Sequence, residues 1–577
     1  MTNLPLRLPV AAIGLCLMWP LAAHAADTTP PTRTPIKHLV VIYQENVSFD
    51  HYFGTYPKAA NPTGEPEFHP SADTPRIDTL ATADLLRHNP NTILANGRDA
   101  SLPFRLDRTQ AATADQNHGY TAEQRAYDHG RSDLFPRYTG RGLPGGVGAF
   151  GTRGEVMGYF DGNTVTAMWR YAQRFAMSDA TYTDTYGPST PGALEVVSGQ
   201  TNGLQIKTTT QKPSTLHAAS PYVGDGQGGW TMINDIDPAD DVCSTPNNQV
   251  RMTGPNIGDL LNRHGITWGG FMGGFNLSIH NPDGSTGCQR QTLSPTVSQT
   301  VADYIPHHNW FQYYASTANP THARPSSTAA IGRSMRPDNG QPEPANHEYD
   351  LQDFFAATKA GNLPAVSFVK MPAWQDAHAG YSDPLDEQKG VVELVNFIQT
   401  RPEWRDTAIF IAYDDSDGWY DHAFVPPRHG SADPEVDQLD GPGHCGTAAR
   451  PKGVGGSEVN GRCGPGTRIP LLVLSPWART NYVSHVFLTQ SSIPRFIEDN
   501  WLQGDRLGKG SFDADANSLE DLFDFSHAPR PEPLFLDAGT GAVPETTKGR
   551  DDTASLCRHG LSMNTLQPLI KMSQARR

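Results

Sequence analysis

Four short apolar runs, each bounded by turn residues, constrain the fold of this chain more than any other feature. They cover residues 36–43, 365–369, 408–413 and 469–474. Continuous apolar runs of this length are typical of strands that are buried on both faces, as in a parallel sheet. Segments with helical spacing lie between them, at 163–175, 391–398 and 493–502. The alternation predicts an α/β fold with a mostly parallel central sheet flanked by helices.

The segments between these elements predict how the chain is divided. Glycine, proline, threonine and asparagine dominate residues 198–300 and 425–467, which we expect to form long loop insertions or a lid. The motifs described below lie within residues 27–526, which we interpret as one catalytic domain. Residues 527–577 are rich in proline and charge, so we expect a weakly structured C-terminal tail. In the first helical segment, Asn163 is placed to cap the helix.

Residues 1–26 have the pattern of a signal peptide. One positive side chain, Arg7, precedes an apolar stretch over 8–21, and Ala23-His24-Ala25 follows as a small-x-small cleavage pattern. A membrane anchor is the alternative, but the stretch is short and contains Pro9 and Pro20. We therefore expect an exported protein, periplasmic or secreted, with no stable membrane insertion.

Five cysteines follow the predicted signal peptide: Cys243, Cys288, Cys445, Cys463 and Cys557. An oxidising compartment permits disulfides between them. Pairing of nearest neighbours would give Cys243–Cys288 and Cys445–Cys463, although spacing alone cannot fix the connectivity. None of the five forms a C-x-x-C pair, which argues against a zinc knuckle or a thioredoxin-like site.

The formal net charge of −16 at pH 7 limits the partners of the chain. A strongly acidic surface disfavours non-specific binding to nucleic acid or to an anionic membrane. An anionic substrate would therefore need a locally positive pocket, which a metal ion or protonated histidines could supply.

Two of the predicted strands end in polar pairs, Glu45-Asn46 and Asp414-Asp415. Active-site groups of α/β sheets gather at the carboxyl ends of the strands, and carboxylate and amide oxygens are ligands for hard divalent cations. Adjacent carboxylates at a buried strand end also repel each other unless a cation compensates them. The alternatives are an ordinary turn at Asn46 and a solvated acidic turn at Asp414. An EF-hand is excluded, because its first and last ligand positions would fall on Tyr413 and Phe424.

The segment Gly187-Pro-Ser-Thr-Pro-Gly192 is a candidate nucleophile site. Thr190 suits a helix N-cap and Pro191 the first helical position, so Ser189 would lie at a helix N-terminus that favours an anion. A serine there could attack phosphorus while the helix stabilises negative charge. A plain capping serine is the alternative. The Gly-x-Ser-x-Gly elbow of α/β-hydrolases is excluded, because Pro191 occupies the position of its last glycine.

Four histidines lie in polar contexts: His118, the adjacent His307 and His308, and His347. A histidine can hold phosphate as an imidazolium, protonate a leaving oxygen, or bind a metal when neutral. For each of them a surface or structural role is the alternative, and the adjacent pair beside aromatic residues is the least ordinary.

Together these segments resemble the bacterial phosphoesterase family of acid phosphatases and phospholipases C, which has an alkaline-phosphatase-like fold. The matching stretches are 38–54, 157–161, 187–192, 307–314, 346–354, 413–422 and 496–501. The resemblance implies that Glu45, Asn46, Asp414 and Asp415 hold one divalent metal ion, with Ser189 as the nucleophile beside it. It also implies that His118, His307, His308 and His347 surround the phosphate. All-oxygen ligands favour calcium, magnesium or manganese over zinc.

Within that family, the nucleophile segment favours the acid phosphatase branch. Similar phospholipases C often carry threonine followed by Asn-Arg two residues on, whereas this chain has Ser189 with Gly192 and Ala193. We therefore expect an exported metal-dependent acid phosphatase that hydrolyses small phosphomonoesters through a phosphoserine intermediate. A phospholipase C acting on phosphodiester head groups is the alternative. A secreted calcium- or phosphate-binding adhesin is a third reading, but it leaves Ser189 and the histidines without a role.

Overall fold

A computed structural model describes residues 32–210 and 217–544. Its centre is one eight-stranded sheet, whose strands we number β1 to β8 in chain order. They are β1 His38–Gln44, β2 Ala176–Ser178, β3 Trp268–Met272, β4 Glu348–Asp350, β5 Val366–Lys370, β6 Thr407–Tyr413, β7 Leu471–Leu474 and β8 Tyr482–Ser484. The spatial order is β4-β3-β5-β1-β6-β7-β2-β8.

All strands of the sheet except β7 run in the same direction. β7 pairs antiparallel with both β6 and β2, and every other pair in the sheet is parallel. The predicted α/β class with a mostly parallel sheet is therefore confirmed, although the fourth apolar run forms the antiparallel strand. Strands β1, β5 and β6 lie side by side in the centre and are almost wholly buried, which explains why their sequences are continuously apolar.

Nine helices are described, α1 to α9 in chain order. They are α1 Phe49–Phe53, α2 Tyr120–Tyr127, α3 Phe135–Tyr138, α4 Thr166–Arg174, α5 Ser189–Ser198, α6 Ile257–Arg263, α7 Leu351–Lys359, α8 Pro384–Gln399 and α9 Ser492–Trp501. The predicted helices at 391–398 and 493–502 correspond to α8 and α9. None of the described helices is long and apolar enough to cross a bilayer.

Two predicted helix starts are wrong. Helix α4 begins at Thr166 with Val165 at its N-cap, and the Asn163 amide instead donates to Pro66 O at 2.7 Å. Helix α5 begins at Ser189 after Pro188, not at Pro191. In both cases the local cap pattern was present, but tertiary hydrogen bonds engaged the polar side chain elsewhere.

Long irregular segments of the described chain surround the sheet and carry one three-stranded sheet and four pairs of strands. These are Leu204–Thr208 with Gln249–Met252 and Asp237–Pro238, Tyr222–Gly224 with Trp230–Met232, Gln291–Leu293 with Thr300–Ala302, Thr181–Tyr182 with Leu488–Thr489, and Phe104–Arg105 with Gly158–Tyr159. The region 198–300, predicted as loop, also contains β3 and α6, so it is only partly an insertion.

Two disulfides join Cys243 to Cys288 and Cys445 to Cys463, as nearest-neighbour pairing predicts. The predicted signal peptide and Cys557 lie outside the described residues. The described part of the predicted tail, 527–544, has no helix or strand but packs on α8, where Asn396 donates to Leu536 O at 2.8 Å. The domain boundaries at 26 and 526 stay predictions.

Candidate active site

The polar pairs at the strand ends meet the Ser189 segment in one buried cluster. The Ser189 hydroxyl donates to Glu45 Oε2 at 2.8 Å and lies 3.3 Å from both Asn46 Oδ1 and Asp415 Oδ2. Parallel strands β1 and β6 are neighbours, so Glu45 and Asp414, which follow them, emerge at the same edge of the sheet. All five side chains are at most 1% exposed. A hydroxyl among acidic oxygens is therefore the central feature of this site.

The backbone fixes this convergence. Asn46 adopts a left-handed φ of 52°, and its N–H donates to Asp414 Oδ1 at 3.0 Å. Helix α5 packs directly on the acidic loop, since a Cβ on Gly192 would lie 2.2 Å from the Asp414 carbonyl oxygen. Tyr43 donates its hydroxyl to Gly192 O at 2.9 Å, which ties α5 to the end of β1. Only glycine permits this approach of two backbones.

The N-terminus of α5 offers fewer free donors than the sequence suggested. The N–H and the hydroxyl of Thr190 both donate to Asp235 Oδ1, at 2.9 and 3.0 Å. Pro191 has no N–H to donate. The Asp235 carboxylate thus already accepts hydrogen bonds from the N-terminus of the helix. The positive charge that an anion beside Ser189 requires therefore has to come from side chains or a bound cation.

Charge balance in the cluster is unfavourable without a further cation. Burial and the neighbouring Glu45 hold the pKa of Asp414 well above its usual range, and burial does the same for Asp415. Asp414 Oδ2 is buried and accepts no hydrogen bond from any described residue. Several buried carboxylates without enough positive charge are the condition that a divalent cation relieves.

The orientation of the Asn46 amide decides whether it can be a ligand of a cation. One end of the amide lies 2.8 Å from Glu45 Oε2 and 3.1 Å from Asp414 Oδ1. With nitrogen at that end the amide donates to these carboxylates, whereas with oxygen there a cation must lie among the oxygens. The ligand types are oxygen atoms of Glu45, Asn46, Asp414, Asp415 and Ser189, and this set fits a hard divalent ion.

A comparison with known protein families matches residues 36–502 to the Phosphoesterase family. The chain belongs to this family. It is 24% identical over 486 residues to a non-hemolytic phospholipase C of Burkholderia pseudomallei, covering 82% of this chain and 56% of that protein. It is also 24% identical over 512 residues to a non-hemolytic phospholipase C of Pseudomonas aeruginosa, with coverages of 86% and 59%. The chain thus spans little more than half the length of these two relatives.

Other relatives are matched along more of their length. Phospholipase C B of Mycobacterium tuberculosis is 22% identical over 534 residues, covering 89% of this chain and 82% of that protein. Among solved structures, a phosphonate monoester hydrolase from Silicibacter pomeroyi covers 67% of this chain and 73% of its own, at 11% identity and a TM-score of 0.26.

Of the four histidines that were predicted to surround the phosphate in this member of the Phosphoesterase family, three lie beside the cluster. His118 Nε2 lies 3.3 Å from the Asn46 amide nitrogen, and its Nδ1 lies 3.1 Å from Asp417 Oδ1. His308 Nδ1 lies 3.2 Å from Glu45 Oε1. His307 is less enclosed, with 30% of its side chain exposed and Nδ1 3.6 Å from Asp237 Oδ1. The structure therefore brings these rings to the carboxyl ends of β1 and β6, where Ser189 lies.

The charge states of these rings differ. Burial lowers the pKa of His118, but Asp415 and Asp417 outweigh it and hold the pKa well above its usual range. Asp237 and Asp235 likewise raise the pKa of His307 against the effect of burial. Burial dominates for His308, whose pKa is well below its usual range. His118 and His307 are therefore the rings that carry positive charge at neutral and acidic pH.

The fourth histidine, His347, is not brought to the site. It precedes β4, which is three strands away from β1 in the sheet, and its Nδ1 lies 2.9 Å from the carbonyl of Trp268, the first residue of β3. Its ring stacks on Trp268 with centroids 4.4 Å apart, and burial lowers its pKa to about 4. It therefore has the surroundings of a structural histidine near the amino end of the sheet.

Sequence reasoning missed a group of residues at the end of β5 and in the loop that follows it. Lys370 forms an ion pair with Glu45 Oε1 and lies 3.8 Å from Asp414 Oδ2. His378 Nε2 lies 2.9 Å from the outer end of the Asn46 amide. Asp376 Oδ2 lies 3.8 Å from His308 Nδ1. The rule that found Glu45 and Asp414, polar residues directly after a buried strand, reaches Asp376 and His378 only if it is extended along the loop that follows the run at 365–369.

Glu123 is a second residue that the sequence did not indicate. Its carboxylate accepts Ser416 Oγ at 2.6 Å and the Gly187 N–H at 3.0 Å, so it joins the acidic loop to the nucleophile segment. Burial raises the pKa of Glu123 to about 7. Its position on α2, far from both segments in sequence, gives no local signal.

Proposed function

We propose that this chain is an exported, metal-dependent phosphate ester hydrolase that acts on small phosphomonoesters through a phosphoserine formed on Ser189. One observation carries the proposal: the Ser189 hydroxyl lies within 3.3 Å of Glu45, Asn46 and Asp415. A serine that is only structural has no need of two carboxylates and an amide around its hydroxyl. The two disulfides and the signal-like sequence of residues 1–26 support export.

In this proposal Glu45, Asn46, Asp414, Asp415 and Ser189 hold one divalent cation. When bound, the cation neutralises the carboxylates and lowers the pKa of the serine hydroxyl. The proton of that hydroxyl leaves along its hydrogen bond to Glu45 Oε2. Ser189 Oγ then forms a bond to phosphorus as the bond from phosphorus to the leaving oxygen breaks.

The histidines serve the phosphoryl group and the leaving oxygen. The Nε2 atoms of His118 and His378 lie 3.3 and 2.9 Å from the outer end of the Asn46 amide, whose other end lies 3.3 Å from the Ser189 hydroxyl, so one amide group separates both rings from the nucleophile. We assign them to the non-bridging phosphoryl oxygens. His307 is the most exposed of the rings and is held protonated by Asp237, so we assign it to protonate the leaving alcohol.

Hydrolysis of the phosphoserine completes the cycle. Water attacks phosphorus and gives a proton to His307, the bond from phosphorus to Ser189 Oγ breaks, and the serine oxygen takes back a proton from Glu45. Inorganic phosphate leaves. His347 has no part in these steps, because it lies near the amino end of the sheet.

The test is the replacement Ser189→Ala, with p-nitrophenyl phosphate as substrate. Loss of a nucleophile should lower kcat by about 10⁴-fold or more. Ser198→Ala is the matched control, since Ser198 lies at the other end of α5, where its hydroxyl donates to the Leu194 and Gln200 carbonyls and accepts the Gln200 N–H. Acid quenching of the wild-type reaction should also trap labelled phosphoserine at position 189. Residual Ser189→Ala activity within tenfold of wild type would refute the nucleophile assignment.

A phosphodiesterase of the phospholipase C type is the second candidate, because the relatives described above are named as phospholipases C. It retains the same serine and cation but releases a phosphorylated head group. The ratio of kcat/KM for p-nitrophenyl phosphate to that for p-nitrophenyl phosphorylcholine separates the two. A ratio above one supports the monoesterase, and a ratio below one supports the diesterase.

A further inference from the structure

The two oxygens of the Glu45 carboxylate face different partners. Oε2 accepts the Ser189 hydroxyl at 2.8 Å, on the side assigned above to the cation. Oε1 faces the Lys370 ammonium and His308 Nδ1, the latter at 3.2 Å. Glu45 therefore separates two adjacent positions that both attract positive charge, and only one of them holds a charged side chain of the protein.

The position around Lys370 has the side chains of a metal site. Ligand atoms of Glu45, His308 and Asp376 lie within 4.8 Å of one another. Asp414 adds its Oδ2, which lies 3.8 Å from Lys370 Nζ and accepts no hydrogen bond from the described residues. All four side chains are at most 3% exposed. A carboxylate-rich pocket with one imidazole suits a divalent ion such as Mn²⁺.

We propose that the Lys370 ammonium occupies a second cation position, so that the site takes one divalent ion beside Ser189 and excludes another from the pocket of Glu45, His308 and Asp376. Lys370 is the last residue of β5, a central strand, and its side chain is 2% exposed, so the charge is held in place by the sheet. A tethered ammonium compensates the carboxylates without offering an open coordination position. The proposal relies on the proposed function only for the location of the first ion.

The ion pairs also argue against a merely structural lysine. A buried lysine is costly unless it is paired, and one carboxylate would be enough to pair it. Lys370 instead contacts Glu45 and faces Asp414, and both carboxylates also reach toward the Ser189 side of the cluster. Its charge therefore balances the group of acids that would otherwise be free to hold a second ion.

The experiment measures bound Mn²⁺ per chain after equilibration with Mn²⁺ alone and gel filtration. We expect one ion for wild type and two for Lys370→Ala. The double variant Lys370→Ala/Asp376→Asn should return to one ion, because it removes a ligand of the second position. Lys359→Ala, at the exposed C-terminal end of α7, is the control and should bind one ion. Electron spin resonance should show coupled Mn²⁺ ions only in Lys370→Ala.

The outcomes separate this proposal from the proposed function. Equal Mn²⁺ content in wild type and Lys370→Ala overturns the second-position proposal and leaves the serine mechanism intact. A wild type that binds no Mn²⁺ refutes the metal ion beside Ser189, while a gain of one ion in Lys370→Ala still supports the role of Lys370. If Lys370→Ala unfolds without metal, Mn²⁺ must restore its circular dichroism with two ions bound, and failure to do so overturns the proposal.

Discussion

Two acidic clusters follow the same strand, β6, and they differ in how their charge is balanced. In the first cluster, Asp414 and Asp415 lie beside Ser189 with more carboxylates than cations. In the second, Asp421 and Asp50 surround Arg468, whose Nε lies 3.0 Å from Asp421 Oδ1 and whose Nη2 lies 3.2 Å from Asp50 Oδ1. Asp50, Asp421 and His422 are close enough together to bind a metal ion, so geometry alone does not distinguish the clusters.

The protein's own cations make the difference. Arg468 is fully buried and stacks on Phe49 at 4.3 Å, and His422 Nδ1 lies 2.6 Å from Asp50 Oδ2. A guanidinium and an imidazolium thus neutralise the second cluster at neutral pH. In the first cluster, among the described residues, Lys370 is the one lysine or arginine that pairs with the carboxylates beside Ser189. Acids that the protein neutralises are structural, and acids that it leaves underbalanced are available to an external cation.

The largest effect should come from neutralising one acid in each cluster and comparing the two variants. Asp414→Asn should lower kcat by about 10³-fold or more, because a ligand of the proposed cation is lost, while the metal-free protein keeps its stability. Asp421→Asn should keep activity within about tenfold but destabilise the fold, since Arg468 loses a partner. Activity assays and urea unfolding measure both. The comparison breaks if Asp421→Asn is the less active of the two variants.

Removal of the buried guanidinium should give the next largest effect. Arg468→Met leaves Asp50 and Asp421 buried without compensation, which should cost about 3–5 kcal/mol of unfolding free energy. Chemical denaturation followed by circular dichroism measures the loss. The double variant Arg468→Met/Asp421→Asn should recover part of it. A change below about 1 kcal/mol, within the range of an exposed ion pair, would show that the second cluster is not held by its internal cation.

The smallest effect concerns the pH dependence of the second cluster. Asp50 raises the pKa of His422 against the effect of burial, to about 10. A histidine with a raised pKa in the folded state contributes stability that is complete below the unfolded pKa of about 6.5, and that is lost as pH rises through the folded value. The loss between pH 7 and 10 should be roughly 3 kcal/mol after allowance for partial solvent exposure.

His422→Gln tests this dependence, because glutamine keeps hydrogen-bonding capacity without the titration. Its unfolding free energy should vary less than that of wild type between pH 7 and 10. His485→Gln is a suitable control, since the His485 side chain is 63% exposed. Parallel profiles for wild type and His422→Gln would contradict the proposed role of the imidazolium.

The sequence predicted the centre of the fold better than its edges. Strands β1, β5 and β6 are buried on both faces, so their runs are apolar throughout and easily found. Strand β4, Glu348–Asp350, is a three-residue edge strand with two acidic side chains, and its pairing with β3 is set by tertiary contact alone. No local pattern distinguishes such a segment from a turn.

The candidate site was predictable to the extent that strand ends determine it. Glu45, Asn46, Asp414 and Asp415 follow central strands, and the structure places them together. His347 and His378 show the limit, because both lie in polar sequence but His347 precedes a strand and His378 follows one. Lys370 was missed for a different reason: a lysine that ends an apolar run usually reaches solvent, and only the partners supplied by other strands explain its burial.

The absence of a side chain at Gly192 has a consequence for how the reactive oxygen is positioned. Because the α5 backbone rests on the Asp414 carbonyl, the separation between the Ser189 hydroxyl and the acids is set by main-chain thickness and not by rotamer choice. Even one methyl group at position 192 would push helix α5 away from the Asp414 backbone. The reach of the nucleophile is therefore determined by the rigid scaffold, three residues away from the nucleophile itself.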